Sequence, residues 1–192
     1  MKIDNFVNDL KKLYKLMDDT YDEVANQYGF NCTGCKDNCC MTRFYHHTHI
    51  EREYLIKGFK SLEKEKQDEI IDKSLNVCKE IEKSELKGEQ IRVMCPLNYD
   101  DLCILYDFRP MICRLHGIAH EIRRGPLPVN YSPGCEIFTE LCEKKNIDYI
   151  PFDRTPLYMK MALLEKSFKE AINEKDKIKM TVAEMILYSA RS

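Results

Sequence analysis

Apolar side chains at Ile3, Phe6, Val7, Leu10, Leu13, Met17, Val24 and Tyr28 alternate with acidic, basic and amide positions. Their period, near 3.6 residues, predicts one long amphipathic helix over residues 3–28. Gly29 is its natural stop, because glycine enters the left-handed conformation without a Cβ clash. Residues 30–42 are too dense in cysteine, glycine and asparagine for regular structure. Thr48 and Glu51 have capping-box spacing, so a helix is expected over about 49–59. Another is expected over about 62–87, ending at Gly88.

The middle of the chain changes character. Residues 91–133 hold five of the seven prolines and four short apolar runs. Short strands are expected at 91–94 and 103–106, and a brief helix at 110–115 with proline in its first position; the rest reads as loop. Helices resume at about 136–145 and at 156–173, where Thr155-Pro156 is a good start. A last helix follows Thr181, which has Glu184 at capping-box distance. The expected fold is mainly α: a helical shell around irregular cysteine-bearing loops, with one or two short strands. The chain of 192 residues reads as a single domain, its cysteine core at about 30–142 flanked by N- and C-terminal helices.

Charge narrows the function. The 30 basic residues are balanced by 32 acidic ones, so no basic excess argues for nucleic acid or an anionic membrane surface. No apolar run approaches the roughly 20 residues that span a bilayer. The first ten residues carry acids where a signal peptide would be apolar, and read as helix. A cytoplasmic location follows as the expectation, and it changes what ten cysteines mean. Cytosolic thiols stay reduced, so clustered cysteines are candidate thiolate ligands rather than a disulfide framework. Cys78 stands apart, alone in a helical stretch, and reads as a small buried hydrophobe.

The clustered cysteines form two groups. The first is Cys32-x2-Cys35-x3-Cys39-Cys40. The second is Cys95-Pro96-Leu97, then Cys103-x-Leu105-Tyr106-x2-Arg109-Pro110-x2-Cys113-Arg114, with Cys135 after Pro133-Gly134 and Cys142 further on. Closely spaced thiolates reach one metal from a single turn, which is why such spacing recurs in zinc and iron–sulfur sites. Core cysteines would instead be scattered at helical or strand spacing.

This pattern resembles the YkgJ-type cysteine-cluster family, a zinc- or iron-chelating domain, over about residues 30–140. The resemblance implies that these cysteines are metal ligands, and gives Arg109 and Arg114 weight as residues beside the metal centre. One relative with this domain is the flagellin lysine N-methylase, a considerably longer protein, so a role related to protein lysine methylation is only a distant alternative. The ligand set is Cys32, Cys35, Cys39, Cys40, Cys95, Cys103, Cys113 and Cys135. Eight thiolates fill two tetrahedral zinc sites, two four-iron clusters, or one cluster with some left over. Arg92, Arg109, Arg114, Arg123 and Arg124 flank the second group, and cationic neighbours tune an anionic cluster. That tips the reading toward a [4Fe-4S] centre over zinc. The expected role is electron transfer, redox sensing or cluster-dependent chemistry with a redox or other protein partner; the alternative is a structural zinc module that mediates interactions.

All five histidines lie within ten residues of a motif cysteine: His46, His47, His49, His116 and His120. Imidazole replaces thiolate on zinc and iron, but a hydrogen-bonded structural histidine is the more ordinary role. The seven glycines form neither a dinucleotide-binding fingerprint nor a Walker A loop. The x2-then-x3 cysteine order also differs from the usual radical S-adenosylmethionine signature. Leu157, Met161, Leu164 and Phe168 form an apolar helical face that reads as core.

Overall fold

A computed structural model describes residues 2–32 and 39–190. Seven α-helices carry these residues: α1 (Lys2–Tyr28), α2 (His49–Lys60), α3 (Lys64–Lys87), α4 (Met111–Arg114), α5 (Glu136–Lys145), α6 (Thr155–Ile172) and α7 (Val182–Ala190). Two antiparallel hairpins complete the secondary structure: β1 (Asn98–Tyr99) with β2 (Leu102–Cys103), and β3 (His120–Ile122) with β4 (Asn130–Ser132). The fold is mainly α, as the periodicity requires. No described helix is long and apolar enough to cross a membrane.

The chain divides into two compact units. Unit 1 comprises Met1–Thr33 and Cys113–Glu174; unit 2 comprises Gly34–Ile112 and Lys175–Ser192.

Unit 1 is built on α1, which ends where Gly29 turns left-handed at φ 62°. Its apolar stripe buries Leu10, Tyr14, Met17, Tyr21 and Tyr28. Against it lie Leu157, Met161 and Phe168 of α6, with Phe6 and Phe168 edge to face at 5.6 Å. Tyr28 and Phe30 both meet Phe138 of α5 edge-on, at 4.7 and 5.3 Å. Such aromatic pairs add about 1 kcal/mol each to the burial of their area.

Unit 2 packs Leu55 and Phe59 of α2, Ile70 of α3 and Val182, Met185 and Ile186 of α7 around Leu97 and Leu105. Thr181 and Glu184 form a reciprocal capping box at the start of α7: the Thr181 amide donates to Glu184 Oε2 at 2.6 Å, and the Glu184 amide donates to Thr181 Oγ1 at 3.3 Å. At α2 the pair differs. Thr48 Oγ1 donates to Glu51 Oε2 at 2.5 Å, and Glu51 Oε1 accepts the Met111 amide at 2.6 Å, so this buried carboxylate caps the start of α4 instead.

Three loop expectations are corrected. Residues 91–94 form no strand; Arg92 forms an isolated bridge with Thr42. The strand expected at 103–106 is confined to Leu102–Cys103, and a 3-10 turn begins at Tyr106. Its partner β1 was missed because the turn between them, Asp100-Asp101, contains no glycine. Both aspartates nonetheless hold positive φ, 50° and 64°, the pattern of a type I′ hairpin. The loop of 116–133 contains the second hairpin, β3–β4.

Candidate metal centre

In unit 2 the main chain brings cysteines from distant parts of the sequence side by side. Cys40 lies in a 3-10 turn, Cys39–Met41, followed by the Thr42–Arg92 bridge. Next to that bridge the Cys95 amide donates to the Cys40 carbonyl at 2.8 Å. The Cys95 carbonyl then accepts the Asn98 amide at 3.0 Å, a turn that leads into β1, where Asn98 stands opposite Cys103 of β2. Cys95 and Cys103 are half-buried and pack against the apolar cluster of Leu55, Phe59, Leu97 and Leu105. Cys78, also in this unit, sits half-buried on α3, and burial raises its thiol pKa.

Unit 1 holds Cys32, Cys113, Cys135 and Cys142. Cys135 is the N-cap of α5, and its amide donates to the Gly117 carbonyl at 2.7 Å. Gly134 makes this approach possible: at φ 93°, a Cβ there would lie 2.5 Å from the Gly117 oxygen and 2.9 Å from the Ala119 nitrogen. Burial pushes the Cys135 thiol up, with a smaller contribution from Cys32. Burial also raises Cys142 on α5. Thiols of this kind are protonated at neutral pH.

Cys32, Cys40, Cys78, Cys95, Cys103, Cys113, Cys135 and Cys142 are in no disulfide. Cys35 and the Cys39 side chain lie outside the described residues. Among the described residues no three His, Cys, Asp or Glu side chains stand at metal-holding geometry. Thiols are donors suited to a thiophilic metal, and the main chain pairs one cysteine of the first group, Cys40, with one of the second, Cys95.

The arginines hold definite partners. Arg109 Nε donates to the Tyr106 carbonyl at 3.0 Å, and its guanidinium lies 3.4 Å over the Tyr106 ring. Arg114, almost fully buried, pairs with Asp18 of α1 at 2.7 Å and lies 4.0 Å over the Tyr14 ring. Arg123 pairs with Glu121 at 2.9 Å and Asp153 at 3.5 Å, while Arg124 is exposed.

The histidines divide similarly. His46 is buried, its backbone bridged to Met180, and burial together with His47 lowers its pKa to about 4. Its Nε2 has no hydrogen-bond partner among the described residues. His49 is buried with Nε2 at 3.0 Å from the Asp176 carbonyl, whereas His47 is exposed. His116 and His120 share no helix: the first lies in a loop and the second opens β3. Both are lowered to about 4 by burial and then by Arg154. Arg154 carries no motif signal in the sequence, lying just before the Thr155-Pro156 helix start. No protein-family model, curated protein or solved structure matches the chain.

Proposed function

We propose that this chain is a cytoplasmic metal-binding protein of the YkgJ cysteine-cluster type, with an iron–sulfur centre used in electron transfer, redox sensing or cluster-dependent chemistry. Cys32, Cys35, Cys39, Cys40, Cys95, Cys103, Cys113 and Cys135 are the ligand set. A bound cluster would supply one-electron chemistry at low potential. The chain's own part is to deliver thiolates from loops anchored by protein hydrogen bonds, and to keep them partly out of water. One observation carries the reading: the Cys95 amide bonded to the Cys40 carbonyl. It joins two cysteine groups that a purely structural role for each cysteine would leave unrelated. The test is metal and acid-labile sulfide analysis of protein purified without oxygen, with absorption near about 400 nm as the optical sign of a cluster. Zinc without sulfide would discard the iron–sulfur centre.

Structural zinc is the second reading, and the arginines favour it. A tuned cluster would use the cations beside the second cysteine group. Arg109 is instead folded onto Tyr106, Arg114 onto Asp18 and Tyr14, and Arg123 onto Glu121 and Asp153. A zinc site needs no such tuning, and it would staple the loops.

A further inference from the structure

Arg154 of unit 1 is only 3% exposed. Its Nη2 donates to the Leu115 carbonyl and, at 3.5 Å, to the Ile118 carbonyl. The guanidinium lies 5.0 Å from the Phe152 ring centre. Its Nε is buried and has no hydrogen-bond partner among the described residues. Tyr158, Tyr21 and Tyr149 are the ionisable side chains that couple to it, and among the described residues no carboxylate pairs with it. The adjacent Asp153 turns away: its Oδ1 accepts the Thr155 amide at 2.8 Å and its Oδ2 faces Arg123. Burying a charge without a counter-charge costs several kcal/mol even after relaxation. Neutral carbonyls offset part of that cost and leave the net charge in place.

Aromatic and imidazole groups make up the surroundings of Arg154. Tyr21 puts its hydroxyl against Gly117, where a Cβ would lie 2.5 Å from it, and its ring stands edge-on to Phe152 at 6.5 Å. His116 and His120 both feel the charge of Arg154. Arg154 is also the N-cap of α6, whose amide end adds positive potential. Tyr149, which couples electrostatically to Arg154, is 38% exposed.

We infer that unit 1 carries a binding site for a small monocarboxylate, with Arg154 as its charge-bearing group and His116, His120 and Tyr21 around it. A carboxylate matches the planar guanidinium and takes a charge-assisted bond from the Nε–H. With both imidazoles neutral, the site holds one positive charge, which one carboxylate cancels. A phosphate dianion would leave a buried negative charge behind. The site uses no cysteine, so it stands or falls separately from the metal centre.

The test is titration of the full chain with acetate and with benzoate at constant ionic strength, followed by melting temperature and by the histidine ring-proton NMR signals. A saturable rise of about 3–5 °C at tenfold excess over the dissociation constant is expected. The His116 and His120 signals should titrate at higher pH in the presence of ligand. Arg154→Lys, which keeps the charge and loses the planar fork, should weaken binding at least about tenfold, and Arg154→Met should abolish it. If Arg154→Met does not fold, the wild-type titrations decide alone. No saturable response to either carboxylate overturns the site. An equal response to chloride, or a larger one to inorganic phosphate, overturns the monocarboxylate assignment. An undiminished response in folded Arg154→Met removes Arg154 from it.

Discussion

Replacing Arg114 by leucine separates a structural anchor from a redox-tuning cation. Arg114 Nη1 stands 2.7 Å from Asp18 Oδ2, with side-chain exposures of 5% and 40%. At a charge separation near 4 Å and an effective dielectric of 20, the gross attraction is roughly 4 kcal/mol. Desolvation of the buried guanidinium takes back most of it and leaves about 1–2 kcal/mol. The contact with the Tyr14 ring adds about 1 kcal/mol. Asp18 remains wet enough to hydrate alone, so no buried orphan charge inflates the loss. Arg114→Leu should therefore cost about 2–3 kcal/mol, roughly 4–12 °C in melting temperature. A double-mutant cycle with Asp18→Asn should return a coupling of about 1–2 kcal/mol. Coupling below about 0.3 kcal/mol would refute the anchoring role. Redox titration of the loaded protein at matched occupancy gives the second reading. A tuned cluster should show a lowered potential in Arg114→Leu and a raised one in Asp18→Asn, because the first removes a positive and the second a negative charge. Unmoved potentials in both leave Arg114 as an anchor.

Alanine at Gly58 should destabilise unit 2 by about 1–2 kcal/mol in urea unfolding, although alanine inside a helix normally gains about 1 kcal/mol. Its Cβ would lie 2.4–2.7 Å from the Phe108 ring, so a net gain would contradict that packing. Stability should fall as pH drops from about 6.5 toward 4, because His46 and His116 bind protons in the unfolded chain near 6.5 but in the folded one only near 4. The slope should approach about 1.4 kcal/mol per pH unit for each, and denaturant unfolding across this range should show it flattened in His46→Gln. Chelation of the metal-loaded protein should lower its melting temperature and speed proteolysis within residues 91–133, whereas Cys78→Ser should leave metal content unchanged. Identical digestion of loaded and stripped protein would count against a metal contribution to loop stability.

Long periodic segments were legible because one local signal decided each of them. The stripe from Ile3 to Tyr28, stopped by Gly29, became α1 at Lys2–Tyr28, and the glycine at 88 ends α3 in the left-handed conformation. Residues 136–145 formed α5 over the same span. The Thr181–Glu184 signal gave the box it promised, while Thr48–Glu51 did not, because the Met111 amide competes for the same carboxylate from far along the chain. The hairpins escaped notice for a related reason. Two aspartates accept a turn geometry that normally asks for glycine, and β3 pairs with β4 across a long proline-bearing connection. At the site, the sequence named arginines by their nearness to cysteines along the chain. It had no means to see that Asp18, Tyr14 and Tyr106 engage two of them. Arg154 was invisible for the converse reason, since burial without a counter-charge is a property of packing alone.

Protein contacts already hold parts of the cysteine loops, and this bounds how much stability the proposed metal could supply. In a zinc finger nearly all the folding energy comes from the ion, because little else holds the ligands. Here Cys95 is tied through its amide to Cys40, Cys103 sits in a paired strand beside buried Leu97 and Leu105, and Cys135 is fixed by the Gly117 carbonyl and begins a helix. These contacts are made by protein groups, so the entropy of ordering the loops is met in part without any metal. The opposing term is the proton: burial holds Cys135 in the thiol form, and to bind the proposed metal it would first have to release that proton. Metal affinity should therefore fall steeply in acid while the helices of both units persist. Helices that melted together with metal loss would instead mark a domain that a metal folds.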